Sequence, residues 1–255
     1  MLLAVDVGNT QIVLGLFAER TLTHHWRLAS RRERTVDEYG LLVEQLLSLH
    51  GVDRRGIKGA IISSVVPPLQ VIWQEMVESY FGLRPLLVEP GIKTGMPILY
   101  DNPREVGADR IVNAVAAIEK YGTPAIVVDF GTATTFDVIS EKGEYLGGAI
   151  VPGLQISAEA LFQKASKLPR VEVTRPRSIV GRNTVASMHS GLYFGYLCLI
   201  EGMLTRIKAE MRFDPVVVAT GGLARTIGEG CPLIHHLDPL LTLEGLRIVY
   251  QRNLP

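Results

Sequence analysis

Two aspartates stand in the same local setting about half a chain apart. Asp6 closes the apolar run Leu3-Ala4-Val5 and opens Val7-Gly8-Asn9-Thr10. Asp129 closes Ala125-Ile126-Val127-Val128 and opens Phe130-Gly131-Thr132-Ala133-Thr134. Each segment reads as a buried strand that delivers a carboxylate at its end. A glycine then permits a tight reversal and close approach to backbone N–H groups, hydroxyls follow, and a strand returns. Such a corner offers donors to a phosphate and oxygen ligands to its metal ion. An ionised carboxylate at the end of an apolar strand needs a partner, and a cation supplies one. Two such corners facing each other would grip a nucleoside triphosphate from both sides.

Three further segments carry groups that could do chemistry. Thr220-Gly221-Gly222 follows the apolar run Val216-Val217-Val218-Ala219. It is an ordinary strand-to-helix turn, or a place where a flat purine lies against the backbone. Gly107-Ala108-Asp109-Arg110 falls early in a helical pattern. There Asp109 either complements the helix dipole or acts as a general base, with Arg110 beside it for an anionic substrate. Thr184, at the start of a long helical pattern, reads as an N-cap or as a substrate contact. Tyr100 precedes the turn signal Asp101-Asn102-Pro103 and is expected to be surface-accessible near the cleft.

Other nucleotide and hydrolase signatures are missing. Gly91-Ile92-Lys93-Thr94 lacks the upstream glycine of a P-loop, and no G-x-G-x-x-G follows the first strand. There is no Gly-x-Ser-x-Gly elbow and no H-E-x-x-H. Lys+Arg and Asp+Glu both number 26, a balance that argues against nonspecific nucleic-acid binding. Two cysteines give neither a disulfide framework nor a thiolate zinc site, which points to a cytoplasmic protein. No signal-peptide pattern opens the chain and no apolar run is long enough for a bilayer, so no membrane partner is expected.

The elements that must position these groups follow from periodicity. Strands are expected at 2–6, 11–18 and 20–28, then a helix after the capping-box spacing Thr35-Val36-Asp37-Glu38. A continuous apolar strand at 59–66 suits a parallel sheet. Pro67-Pro68 starts a helix to about 80, and a strand follows at 84–89. A helix at about 104–121 bridges to a second run: strands at 124–130, 134–140 and 143–151, helices near 153–165 and 183–211, a strand at 216–220 and a helix at 242–250. The chain thus reads as a duplicated α/β unit, 1–121 and 122–255, with the ligand expected in the cleft between halves.

Asp6 to Thr10, Gly107 to Arg110, Asp129 to Thr134 and Thr220 to Gly222, in this order and spacing, closely resemble the type III pantothenate kinases. The resemblance runs from residue 2 to about 250. It implies two ribonuclease-H-like halves of the actin-like ATPase superfamily, assembled as a homodimer. It implies transfer of the γ-phosphoryl of ATP to the primary hydroxyl of pantothenate, the first step of coenzyme A synthesis. By motif match, Asp6, Val7, Gly8, Asn9, Thr10, Gln11, Ile12 and Val13 form the first phosphate loop, with Asp6 near Mg²⁺. Asp109 is the implied proton acceptor. Tyr100, Gly107, Ala108, Arg110 and Thr184 line the implied pantothenate site. Asp129 is implied to hold K⁺ or NH₄⁺, and Thr132, beside Gly131, to contact ATP. The same corners also suit another small-molecule kinase or phosphatase of the superfamily, or a nucleotide-binding transcriptional accessory protein without turnover.

Overall fold

A computed structural model describes residues 1–254. It divides into two compact units: residues 1–96, 100–116 and 241–254 form the first, residues 97–99 and 117–240 the second.

In the first unit β1 (Leu2–Val7), β2 (Gln11–Ala18) and β3 (Thr21–Ala29) form an antiparallel meander. Then come α1 (Val36–Leu49), β4 (Gly59–Ser64), α2 (Pro67–Phe81) and the short β5 (Leu86–Leu87). The sheet order is β3-β2-β1-β4-β5, with β4 parallel to β1 and β5 parallel to β4. The capping box forms as the sequence predicts: Glu38 N–H donates to Thr35 Oγ1 at 3.3 Å and Thr35 N–H to Glu38 Oε2 at 2.8 Å. Period-2 alternation sends Leu3, Val5 and Val7 into a core with Tyr39, Val43, Leu69 and Trp73 of α1 and α2. Ala4 and Asp6 therefore face the other side of the sheet.

α3 (Ala108–Tyr121) belongs to both units, the division falling at 116/117. The second unit continues with β6 (Ala125–Phe130), β7 (Ala133–Ile139), β8 (Tyr145–Pro152), α4 (Leu154–Lys164), α5 (Thr184–Met211), β9 (Val216–Thr220), α6 (Ala224–Gly228) and β10 (His236–Leu237). Its sheet order is β10-β9-β6-β7-β8, the first sheet's order repeated strand for strand. Ile126, Val128, Phe130, Phe136 and Val138 pack against Leu192, Tyr196, Ile200 and Leu204 of α5. The expected duplicated fold of two mixed sheets is the observed one.

Four expectations change. The C-terminal helix α7 (Leu241–Arg252) packs with the first unit, so 122–255 is not one body. The reason is close fit at three glycines: Leu243 Cδ1 fills the space over Gly15, the Tyr250 hydroxyl covers Gly59, and Gly245 lies directly on the Val112 carbonyl. The bridging helix does not start at 104. A 3-10 turn spans Pro103–Glu105 and the α-helix begins at Ala108, which puts Asp109 in its first turn. Thr184 is not the cap of α5; Asn183 is, its side chain accepting from Ala186 N–H at 2.8 Å. The strand at 84–89 shrinks to Leu86–Leu87. Among the described residues no helix is long and apolar enough to cross a membrane.

Candidate active site

The acid of each unit sits at the same place in its sheet. Asp6 pairs with Val13 on β2 and Ser63 on β4; Asp129 pairs with Thr135 on β7 and Thr220 on β9. Both acids are half-buried, at the ends of strands whose preceding residues are fully buried. The turns differ by one residue. Gly8 N–H donates to Gln11 O and Gly131 N–H to Ala133 O, each at 3.1 Å. The longer first turn leaves Asn9 and Thr10 exposed, while Gly131 and Thr132 are exposed at the second.

In the first unit, Val65 lies between the acid turn of β1 and the Gly107 segment. Val65 N–H donates to Val7 O at 3.1 Å, which ties the end of β4 to the acid turn. A Cβ on Gly107 would lie 3.7 Å from Val65 Cγ1 and only 2.6 Å from Asp109 Oδ1. The Asp109 carboxylate is thus folded back over Gly107, and glycine leaves room for it. Arg110 N–H donates to Asp109 Oδ1 at 2.8 Å. Burial pushes the Asp109 carboxyl above the ordinary carboxylate range; the Arg110 backbone N–H and guanidinium charge pull the other way and lose. A late proton acceptor can work with an ordinary carboxylate pKa, and a raised one makes a better base near neutral pH.

Ala108 and Arg110 are buried, and Tyr100 is half-buried, partly open to solvent. Asn113, one turn after Asp109, is fully buried and accepts from Thr242 Oγ1 at 2.8 Å, so it fastens α7 to α3. Ser30 was invisible to sequence reasoning. Its Oγ donates to Gly8 O at 2.6 Å and its N–H to Thr10 O at 3.0 Å, lacing the first turn from both ends. Only the pairing of β2 with β3 brings it there, and no motif marks it.

In the second unit, Gly221 has φ +91°, and a Cβ there would lie 2.5 Å from Asp129 Oδ1 and 2.7 Å from the Phe130 backbone. The space beside Gly221 is therefore taken by the acid turn itself, while that over Gly222 is open. Gly153 N–H donates to Thr132 O at 3.0 Å and holds the hydroxyl turn. Thr184 is exposed at the rim of a cavity of about 700 Å³ that Arg182, Asn183, Ser187 and Met188 also line. Among the described residues no three His, Cys, Asp or Glu side chains form a metal cage. A lone carboxylate such as Asp6 fits Mg²⁺, which takes its other ligands from phosphates and water.

The family model for type III pantothenate kinase matches residues 2–206. The chain is 59% identical over 253 residues to the type III pantothenate kinase of Moorella thermoacetica, covering 99% of this chain and 100% of that one. It belongs to the type III pantothenate kinase family. The enzyme of that name from Myxococcus xanthus is 58% identical over 99% of both chains. A solved Baf family transcriptional activator from Campylobacter jejuni superposes with TM-score 0.63 over 98% of each chain at 19% identity, a likeness of fold alone. An N-acetylglucosamine kinase structure from Porphyromonas gingivalis does so at 0.53 and 12%, over 99% of each chain.

Proposed function

We propose that Asp109 takes the proton from the primary hydroxyl of pantothenate while the turn after Asp6 holds the phosphates of ATP. As a member of its family the chain is a pantothenate kinase, and it catalyses the ATP-dependent phosphorylation that opens coenzyme A biosynthesis. Phosphoryl transfer asks for positioning and charge neutralisation more than for covalent chemistry. The alcohol oxygen attacks the γ-phosphorus, its proton passes to an Asp109 carboxylate oxygen, and ADP leaves. The observation that carries this is the half-buried Asp109 carboxylate, folded back over Gly107 and raised in pKa, while Gly107 borders Val65, whose N–H donates to Val7 O beside the first acid.

Backbone N–H groups of Asn9 and Thr10 are the proposed cradle for phosphate oxygens, in a turn that the Gly8 N–H bond to Gln11 O closes and Ser30 supports. Gln11, Ile12 and Val13 carry that loop back into the sheet. Arg110 is the proposed partner of the pantothenate carboxylate, with Tyr100, Gly107, Ala108 and Thr184 as further contacts. Gly131, Thr132, Gly221 and Gly222 are proposed for the nucleotide. When bound, Mg²⁺ at Asp6 and a monovalent cation, K⁺ or NH₄⁺, at Asp129 would each offset phosphate charge.

A homodimer is also proposed. Ile156, Leu161, Phe162, Ile179, Val180 and Val185 are all exposed in the second unit, and large apolar side chains left in water are what a partner copy would cover. A cytoplasmic location fits two free cysteines. The deciding experiment is ADP release with and without pantothenate, in K⁺ buffer with Mg²⁺, with mass spectrometry of the product. ADP release that ignores pantothenate, or a product without added phosphate, would overturn the reading.

A further inference from the structure

The duplication gives an internal control. The two sheets agree in strand order, in the register of their acids and even in the place of one irregularity, between Leu16 and Phe17 in β2 and between Val138 and Ile139 in β7. Equivalent positions can therefore be read off the pairings. On the face that carries the acid, the first sheet places Val13 opposite Asp6, Gly15 two residues on, and Leu22 opposite Phe17. The second sheet places Thr135 opposite Asp129, Asp137 two residues on, and Tyr145 opposite Ile139. Three apolar positions in one half are three polar ones in the other.

The three polar groups are joined. Tyr145 Oη donates to Asp137 Oδ1 at 2.7 Å, and Thr135 Oγ1 donates to Asp137 Oδ2 at 2.9 Å. Asp137 and Tyr145 are fully buried. An ionised carboxylate only accepts, and a threonine hydroxyl owns one proton and two lone pairs. With its proton committed to Asp137, Thr135 has only lone pairs left to offer. Directly paired residues on one face hold their Cβ atoms about 5 Å apart, so this oxygen belongs to the surroundings of Asp129. A carboxylate beside an accept-only hydroxyl repels a phosphate oxygen and suits a hard cation. That donor set fits K⁺, and fits NH₄⁺ equally, since ammonium needs acceptors.

We propose that Asp137, braced by Tyr145, turns the Thr135 hydroxyl so that its oxygen joins Asp129 in holding the monovalent cation. Thr135 is then a cation ligand, and Asp137 and Tyr145 are positioning residues. The inference rests on the reading that Asp129 holds that cation. It also explains why the first half needs no such group: Val13 has nothing to offer a cation, and Gly15 gives its space to Leu243.

The test uses the full chain with Thr135→Val, Thr135→Ser and Tyr145→Phe. Two quantities are read: the K⁺ concentration for half-maximal activation, and the rise in melting temperature when KCl replaces NaCl at equal ionic strength without nucleotide. Thr135→Val is expected to raise the half-activating K⁺ concentration about tenfold and to abolish the K⁺-specific rise in melting temperature. Thr135→Ser restores both, and Tyr145→Phe moves both in the direction of Val by less. KM for pantothenate stays unchanged throughout. If the wild type responds to K⁺ over Na⁺ and Thr135→Val responds identically, this inference fails while the role of Asp129 stands. If the wild type itself does not distinguish the two ions in either readout, the cation reading of Asp129 fails, and this one with it. Should Tyr145→Phe not fold, the Val and Ser pair decides alone.

Discussion

Asp109→Asn separates a catalytic carboxylate from a structural one, because the two roles give changes of opposite sign. Asparagine keeps Oδ1, so the 2.8 Å bond from Arg110 N–H survives, and it fits the same space over Gly107. What it loses is negative charge and proton affinity. A positioned general base is worth roughly 10²–10⁴ in rate, or about 3–5 kcal/mol of barrier at 1.36 kcal/mol per decade. The expected result is a fall of that size in kcat with KM for ATP unchanged. Stability should move the other way. Burial raises the carboxyl above its ordinary 3.8, so the fold prefers the protonated form. That preference contributes stability below the ordinary value and loses it as pH rises through the raised one. At neutral pH the wild type thus holds a partly desolvated charge that the asparagine variant lacks. Melting temperature should be higher for the variant at about pH 8, with the gap closing toward about pH 4. The acid limb of the wild-type kcat profile should lie above the ordinary carboxylate range for the same reason. The assay is pantothenate-dependent ADP release across pH, with thermal melting in the same buffers. Near-normal turnover in Asp109→Asn would remove the base assignment. A variant less stable than the wild type at neutral pH would refute the account of the carboxyl's burial.

Other perturbations follow from contacts in single units. Gly221→Ala would press a methyl to 2.5 Å from Asp129 Oδ1 and 2.7 Å from the Phe130 backbone at a φ of +91°. A loss of at least about 2 kcal/mol is expected in denaturant melts, against little change for Gly222→Ala, where the space is open. Ser30→Ala removes the 2.6 Å bond to Gly8 O and should cost about 1 kcal/mol. It should raise KM for ATP more than KM for pantothenate, and equal changes in both would count against the lacing of the turn. Thr242→Val leaves buried Asn113 Oδ1 without its 2.8 Å donor. The expected cost is about 1–3 kcal/mol, with hydrogen exchange speeding up in α7 before the sheets. Arg110→Ala should raise KM for pantothenate while the melting curve with ATP alone still shifts upward, and an unchanged KM would displace the carboxylate partner.

The acid corners, the capping box at Thr35, the proline start of α2 and nearly every strand follow from local chemistry, because short-range sterics and period-2 or period-3.6 burial are written in neighbouring residues. The repeat itself was legible for the same reason: Asp6 and Asp129 each follow a run that only a buried strand explains. Gly107 to Arg110 was visible as a motif but ambiguous as chemistry. Its position in a first helical turn was compatible with dipole or base, and only burial of the carboxylate against Gly107 favours the base.

What the sequence could not announce are contacts between residues far apart in the chain. Ser30 reaches Gly8 because β3 pairs with β2. α7 leaves the half it follows in sequence because Gly15, Gly59 and Gly245 let it seat more closely on the first sheet than any local signal foretells. The Thr135-Asp137-Tyr145 relay looks, in one dimension, like a polar interruption of a strand. Strand identity is set by the side chains of a few consecutive residues, whereas the proton direction of a hydroxyl is set by whatever acceptor the tertiary fold brings within 3 Å. That second kind of information exists only once the sheets are paired.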